Sequence, residues 1–370
     1  MDANAIGYMQ RALSLARKGT ALASPNPMVG CVLVRDGQIV GEGFHQYEWR
    51  DHAEVLAIKS AEEKSQGATM YVTLEPCNHT GRTGPCTEAI IKAGIQRVVA
   101  TIEDPNAEVA GRGFERIRAA GVEVFTGLME EEARRLNEPF AKWIRKKTPL
   151  VTLKSAMTLD GQLALPQSGK RKSSTWITSE ESHAEVHRMR HASDALLTGI
   201  GTVLADDPLL TDRSGLPRRR RLLRVVLDSR LRLSARARMV KTPDDDLLVF
   251  TGVSLKSPRV HVLQKAGVEV VSAKVRKGRL DLTDVLKQLG KREILSVLLE
   301  AGSTLNGAAL ASDIVDRVFL FYAPKIAGAA NVPFAKAAKR AHAPLRDVKL
   351  HQFGLDFAVE GMLHDVYGNH

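Results

Sequence analysis

His52, Cys77 and Cys86 restrict this chain more than any other feature, because each stands where one kind of secondary structure gives way to another. His52-Ala53-Glu54 opens a helix, Pro76-Cys77 ends a strand, and Cys86 opens the next helix after eight intervening residues. Imidazole and thiolate suit a tetrahedral zinc shell, and a catalytic zinc keeps its fourth position for water. Helix N-termini at His52 and Cys86 favour thiolate and hydroxide through the positive end of the dipole. Glu54, two residues past the histidine, can take a proton from such a water and pass it on. A lone His at a helix start is more often a capped surface residue; the joint pattern carries the reading. Cys31, inside a strand, is expected in the core. An odd count of three cysteines argues against a disulfide framework and for thiol or metal chemistry in a reducing compartment.

At 370 residues the chain exceeds what one hydrophobic core usually holds, and its 44% apolar and 26% charged residues are those of a globular protein. Ile6, Met9, Leu13 and Ala16 recur at helical spacing before Gly19. Val29 to Val34 and Gln38 to Gly41 flank Asp36-Gly37, a hairpin signal. A helix from His52, a strand over Thr69 to Leu74, a helix after Cys86 closed by Gly94, a strand over Arg97 to Thr101, a helix ending at Gly121 and a strand over Val122 to Phe125 follow. That is a hairpin feeding repeated βα units. A helical stretch through Glu131 to Trp143 ends at Arg145-Lys146-Lys147-Thr148-Pro149, which predicts a boundary there, with one domain over 1–147 and a second over 148–370. Beyond it, strand-like runs recur at Val151 to Ser155, Ala195 to Thr198, Leu223 to Leu227, Leu247 to Thr251, Val268 to Val271, Ile294 to Leu299 and Val318 to Tyr322. Helical segments between several of them make the second half α/β as well.

A formal charge of +11 suits anionic partners without choosing among a phosphorylated small molecule, a nucleotide cofactor and a nucleic acid. The densest run, from Pro217 through Arg218-Arg219-Arg220-Arg221 to Arg224, lacks interleaved aromatics and reads as a solvated loop. No apolar run approaches the roughly 20 residues that span a bilayer, and the first residues lack a secretory pattern, so no membrane partner and a cytoplasmic location are expected. Symmetry favours a homo-oligomer.

The His-x-Glu and Pro-Cys pattern is that of zinc deaminases, here with a longer cysteine spacing. Ser24-Pro25-Asn26-Pro27-Met28-Val29-Gly30, Gly43-Phe44-His45, His52-Ala53-Glu54 and the stretch Glu75-Pro76-Cys77-Asn78-His79-Thr80-Gly81-Arg82-Thr83-Gly84-Pro85-Cys86 closely resemble the pyrimidine deaminase of riboflavin biosynthesis. The resemblance implies a cytidine-deaminase-like αβα domain acting on a diaminopyrimidinone with a ribosylamino 5′-phosphate, whose 2-amino group is exchanged for oxygen. It also implies that Asn26, His45, His79 and Arg82 contact this substrate. Asn26 between two prolines can offer a donor and an acceptor to a base edge, though a turn would place it there too. Arg82 could fork onto the phosphate or stand solvated in its glycine-flanked loop.

Lys154-Ser155-Ala156-Met157-Thr158-Leu159-Asp160-Gly161, Trp176-Ile177-Thr178, Thr202 through Thr211 and Glu300-Ala301-Gly302-Ser303-Thr304-Leu305 resemble the reductase that follows the deaminase in the bacterial bifunctional enzyme of this pathway. That resemblance implies a fold like dihydrofolate reductase and NADPH as donor. By it Ala156, Trp176, Thr202, Asp206 and Ser229 touch the cofactor, and Ser174, Arg190, Leu210, Arg213 and Glu300 face the substrate. Gly302, Ser303, Thr304, Leu305, Asn306, Gly307 and Ala308 read as a turn between a strand and a helix that could cradle a pyrophosphate or be purely structural. Arg190 and Arg213 are natural phosphate ligands but also common surface residues. The implied reaction delivers a hydride to C1′ and opens the ribosyl group to a ribityl chain. Lys154, tuned by Glu300, is a candidate proton donor because a lysine in a buried strand can have a depressed pKa; a structural ion pair is its other reading. Asp206 is an alternative acid. Arg230 after Ser229 could meet a 2′-phosphate or be exposed. Gln167 to Ser173 is longer and more basic than the pattern, which loosens the alignment at Ser174.

The main competing reading is a deaminase acting on tRNA or another polynucleotide, with a basic second domain gripping the backbone. The scarcity of aromatic platforms and the reductase motifs count against nucleic acid as a partner and for a phosphorylated pyrimidine. A non-catalytic interaction protein would have lost a ligand or Glu54, and none is missing.

Overall fold

The computed structural model describes residues 4–81, 84–164, 177–242, 246–328, 332–336 and 344–368. It divides into two compact units, the first running to Lys146 and the second formed by Lys147–Leu216 and Arg220–Gly368. No helix among the described residues is long and apolar enough to cross a membrane.

In the first unit, α1 (Ala5–Arg17) precedes the hairpin β1 (Gly30–Arg35) and β2 (Gln38–Phe44). Asp36 and Gly37 both take positive φ, 51° and 73°, which is what a two-residue turn between twisted strands requires. Then come α2 (Ala53–Ala61), β3 (Thr69–Val72), α3 (Cys86–Lys92), β4 (Arg97–Ala100), α4 (Arg112–Ala119), β5 (Glu123–Phe125) and α5 (Glu130–Lys146). The sheet order is β2-β1-β3-β4-β5, antiparallel around β1 and parallel from β3 to β5. Helix α1 packs on β1, α2 on β2 and β1, and α2, α3 and α4 touch in succession, giving an αβα layering. Met9, Leu13, Leu33, Met70, Tyr71 and Ile90 fill its core, and Cys31 is fully buried among them.

Gly30 lets β1 and α1 approach at backbone contact: a Cβ there would stand 2.0 Å from the Ala12 carbonyl oxygen and 2.6 Å from the Ala16 nitrogen. Neither atom can swing away as a side-chain tip would. Gly30→Ala is therefore expected to destabilise this unit by about 1–3 kcal/mol, the usual range for overpacking. Urea unfolding of the variant checks it, and a midpoint equal to wild type would show that the strand and helix separate at little cost.

The second unit holds β6 (Leu150–Thr158), α6 (Glu180–Ala192), β7 (Ala195–Gly199), α7 (Ile200–Asp206), β8 (Leu223–Leu227), β9 (Leu247–Thr251), α8 (Pro258–Lys265) and β10 (Glu269–Ser272). A small hairpin of β11 (Val275–Arg276) and β12 (Arg279–Leu280) follows, then α9 (Leu282–Lys291), β13 (Ser296–Glu300), α10 (Ser303–Ala311), β14 (Arg317–Ala323), β15 (Arg346–Phe353) and β16 (Asp356–Met362). Nine strands form one sheet in the order β10-β9-β8-β7-β13-β6-β14-β16-β15, parallel from β10 to β14 and antiparallel across β14-β16-β15. Interior strands such as β9 are buried at every residue, as a parallel sheet covered on both faces requires.

Two expectations change. The segment read as a turn over Gly302 to Gly307 is a single capping residue, Gly302, followed directly by α10 from Ser303. Gly307 sits inside that helix because a Cβ there would lie 1.9 Å from the Lys336 carbonyl oxygen. The basic run read as a solvated loop ends in a buried residue: Arg224 lies in β8 at 1% exposure, because Asp246 neutralises it.

Candidate active sites

The start of α2, the loop after β3 and the start of α3 bring three ligand atoms together. His52 is the extended N-cap of α2, and Cys86 is the first residue of α3. His52 Nδ1 lies 3.5 Å from Cys77 Sγ and 3.3 Å from Cys86 Sγ, and the Cys86 backbone N–H donates to Cys77 Sγ at 3.4 Å. All three ligand atoms fall within 4.8 Å of one another. One imidazole nitrogen facing two thiols is the donor set of a zinc site, and the residues present fit that metal. The charges lean the same way. The Cys77 thiol is brought down to about 4, first by its hydrogen bond with Cys86 and then by His52 and the Cys86 N–H. Its thiolate in turn holds His52 up at about 9, and the Cys86 thiol is raised by the neighbouring sulfur and by burial.

Glu54 stands in the first turn of α2, 3% exposed, with burial raising its pKa above the ordinary carboxylate value. His52, Glu54 and Cys77 line a cavity of about 260 Å³ together with Asn26, His45 and His79. Asn26 Nδ2 lies 3.0 Å from His45 Nε2, so the amide and the ring fix one another's orientation. Asn26, His45 and His79 thus stand in the cavity wall, and Cys31 lies in the core. Arg82 lies outside the described residues.

Two further residues position the cavity wall from elsewhere in the unit, one behind it and one within it. Asn137, at a non-helical break in α5, accepts from the Met28 N–H through Oδ1 at 2.8 Å and donates to the Met28 carbonyl through Nδ2 at 2.9 Å. It thus holds the loop that carries Asn26 from the far end of the unit's sequence. Glu75 accepts from the N–H groups of Asp104, Gly111 and Gly113 at 2.8–3.0 Å, which fixes Asp104 in the cavity wall. Burial lifts Asp104 to about 6. The glutamate of a Glu-Pro-Cys stretch at a strand end was the available signal for Glu75.

In the second unit, Lys154 on β6 and Glu300 on β13 are direct register partners, and Lys154 Nζ stands 3.8 Å from Glu300 Oε2. Burial lowers the Lys154 pKa, with Glu300 opposing it; the carboxyl of Glu300 is held below its ordinary value by Lys154 and Arg190 against its own burial. Arg190 on α6 forks onto Glu300 at 2.7 and 2.9 Å and donates to the Thr211 carbonyl at 3.1 Å. Leu210 is buried and has φ of +55°. Arg213, in the same loop after Leu210, is exposed, and Asp206 ends α7. Thr202 lies beside Gly302, 3.9 Å from a Cβ built there, so the starts of α7 and α10 adjoin at the carboxyl ends of β7 and β13. Ala156 is half-buried on β6, and Ser229 follows β8, its carbonyl accepting from Gly252. Asn306 donates to the Phe334 carbonyl at 2.9 Å, and Leu305 and Ala308 pack against the core. Ser303 and Thr304 form the first turn of α10. Ser174 and Trp176 lie outside the described residues.

Residues 3–102 match the family model described as the cytidine and deoxycytidylate deaminase zinc-binding region, and residues 149–359 match the RibD C-terminal domain. The riboflavin biosynthesis protein RibD of Escherichia coli is 44% identical over 333 residues, covering 87% of this chain and 88% of that one. The chain belongs to the RibD family. The RibD of Actinobacillus pleuropneumoniae is likewise 44% identical, over 323 residues, 87% of this chain and 84% of its own. Among solved structures, Acinetobacter baumannii RibD superposes with a TM-score of 0.85 at 36% identity, covering 97% of this chain and 98% of that chain. A Thermotoga maritima protein titled diaminohydroxyphosphoribosylaminopyrimidine deaminase/5-amino-6-(5-phosphoribosylamino)uracil reductase gives 0.83 at 38% identity over the same shares. As a RibD protein the chain is a bifunctional enzyme of riboflavin biosynthesis, a zinc-type deaminase followed by a reductase, with the cytidine-deaminase-like and reductase folds that the motifs imply.

Proposed function

We propose that residues 1–147 deaminate 2,5-diamino-6-ribosylamino-4(3H)-pyrimidinone 5′-phosphate and that residues 148–370 reduce the ribosyl group of the product, 5-amino-6-(5-phosphoribosylamino)uracil, with NADPH in the cytoplasm. The observation that carries this reading is Glu54, buried in the wall of the cavity that His52 and Cys77 also line. His52, Cys77 and Cys86 would hold zinc, which when bound makes water a nucleophile at neutral pH. Glu54 takes a proton from the attacking water to the adjacent ring nitrogen and then moves the second proton to the amino nitrogen, so that water and the ring N=C–NH2 unit become HN–C=O and ammonia. A carboxylate whose pKa is raised toward neutrality is suited to both transfers. Asn26 and His45, locked together, present fixed polar edges to the pyrimidine, and His79 and Arg82 take the remaining substrate contacts.

For the reductase, the adjoining starts of α7 and α10 offer backbone N–H groups at the carboxyl ends of parallel strands, where nucleotide phosphates bind in open α/β sheets. Among the described residues, the buried hydroxyls of Thr198 and Ser303 have no hydrogen-bond partner, which suits a ligand in that crevice. Ala156, Trp176, Thr202, Asp206, Ser229 and Gly302 to Ala308 would hold NADPH there, which when bound supplies a hydride for C1′. Lys154, made more acidic by burial, gives the proton that the opening ring oxygen takes up. Glu300 and Arg190 orient that lysine, and Ser174, Leu210 and Arg213 anchor the substrate with them.

A two-stage assay tests the proposal. Zinc-loaded protein given the diaminopyrimidinone phosphate is expected to release ammonia and then, with NADPH added, to lose absorbance at the nicotinamide band. No ammonia from the zinc-loaded protein sinks the substrate assignment; ammonia without NADPH oxidation sinks the reductase half.

A further inference from the structure

Three consecutive loop residues of the reductase unit are fastened to one face of α6. Arg190 holds the Thr211 carbonyl at 3.1 Å, His191 Nδ1 meets Asp212 Oδ2 at 3.2 Å, and His187 Nδ1 accepts from the Arg213 N–H at 3.2 Å. Positions 187, 190 and 191 share a face because residues three and four apart are neighbours on a helix. Just upstream, Arg224 donates to the Leu209 carbonyl at 3.0 Å, and Leu210 takes its left-handed conformation between these anchors. The His187 anchor differs in kind. An imidazole nitrogen that accepts from a backbone N–H must be unprotonated, so this fastening exists only in the neutral ring.

The surroundings keep it neutral. His187 faces Arg190 and His183 on its own helix, Arg213 and Asp212 on the loop, and Glu300 on β13; His183 in turn faces Lys154 on β6 and Asp356 on β16. Burial, then Arg190 and Arg213, lower the His187 pKa against the pull of Asp212 and Glu300. For a histidine with a depressed folded value the neutral-form contact is complete above the ordinary value, near 6.5, and is lost as pH falls through the lower folded value.

We propose that His187 is a positioning residue of the reductase site: its neutral ring fixes the backbone at Arg213, and protonating it loosens the substrate-binding loop over residues 209–213. The inference rests on the reading that Leu210 and Arg213 contact the phosphorylated substrate. It adds a group, outside any substrate contact, that makes substrate affinity depend on pH.

The test is steady-state reduction of 5-amino-6-(5-phosphoribosylamino)uracil by NADPH between pH 5 and 8, for wild type, His187→Leu, His187→Gln and Arg213→Ala. In wild type KM is expected to climb on the acid side, with kcat changing less. The phosphate monoester itself titrates near pH 6, so the decisive quantity is the difference between variants. His187→Leu removes the acceptor and is expected to raise KM about 10-fold at pH 7.5, the loss of one hydrogen bond that orders a binding loop. His187→Gln restores an acceptor that cannot be protonated, so it should recover most of that loss and show a flatter acid limb than wild type. Arg213→Ala keeps the N–H, so its KM is raised and still climbs on the acid side, with the climb displaced to higher pH because Arg213 no longer lowers the His187 pKa. A His187→Gln profile that superposes on wild type, or a His187→Leu KM equal to wild type, overturns the proposal. A wild-type protein that does not turn this substrate over would instead sink the reductase assignment, so the two failures are distinguishable.

Discussion

Glu54→Gln is expected to lower ammonia release by about 10²–10⁴-fold while leaving NADPH-dependent reduction of the deaminated intermediate at its wild-type rate. Glutamine keeps the size and one hydrogen-bonding oxygen of the glutamate but cannot carry a proton. A group with almost no exposure has no neighbouring bulk water to replace it as a shuttle, which is why the loss should approach the full value of general acid–base catalysis. The zinc content of the variant separates this from metal loss: the ligands His52, Cys77 and Cys86 are untouched, so stoichiometry should match wild type. Retention of more than a tenth of the deaminase rate would mean that another cavity group, such as Asp104, moves the proton.

The largest stability effect is expected at Arg224. Its guanidinium meets Asp246 through Nε at 2.8 Å and Nη2 at 2.6 Å, and donates to the carbonyls of Leu209 and Thr242 at 3.0 and 3.1 Å. Arg224→Met keeps the apolar length and leaves Asp246 and both carbonyls without these donors. Breaking one side of such a buried pair typically costs about 3–5 kcal/mol, a large part of the stability of a domain. Adding Asp246→Leu removes the orphaned carboxylate and should recover much of the loss. Urea midpoints for the single and double variants decide it; equal midpoints for Arg224→Met and wild type would show that water reaches this site.

What the sequence made legible was local. Asp36-Gly37 announced the first hairpin, and His52, Cys77 and Cys86 were visible because metal chemistry narrows the choice of residue at each element junction. The C-terminal hairpin of β15 and β16 escaped because its edge strand, Arg346–Phe353, is exposed at nearly every position and so has no apolar alternation to read. Asn137 and Arg224 escaped for a different reason. Each acts on a loop distant in sequence, Asn137 on Met28 and Arg224 on Leu209, and no local spacing records such a partner. The Gly302 to Gly307 stretch misled because its small residues look like a turn, whereas they let another backbone approach a helix.

Lys154 and Glu300 meet because they occupy the same rung of two neighbouring parallel strands, with β14 closing the other side of β6. Side chains alternate faces along a strand, so a one-residue insertion or deletion ahead of Lys154 within β6 would send the lysine to the opposite face of the sheet and bring a core residue to the crevice. Point substitutions can be compensated by neighbours, but a frame change of one residue in the middle of the sheet has no partial remedy. A residue added or removed in this unit is therefore expected to be tolerated in the loops between strands and not in the strand that carries the lysine.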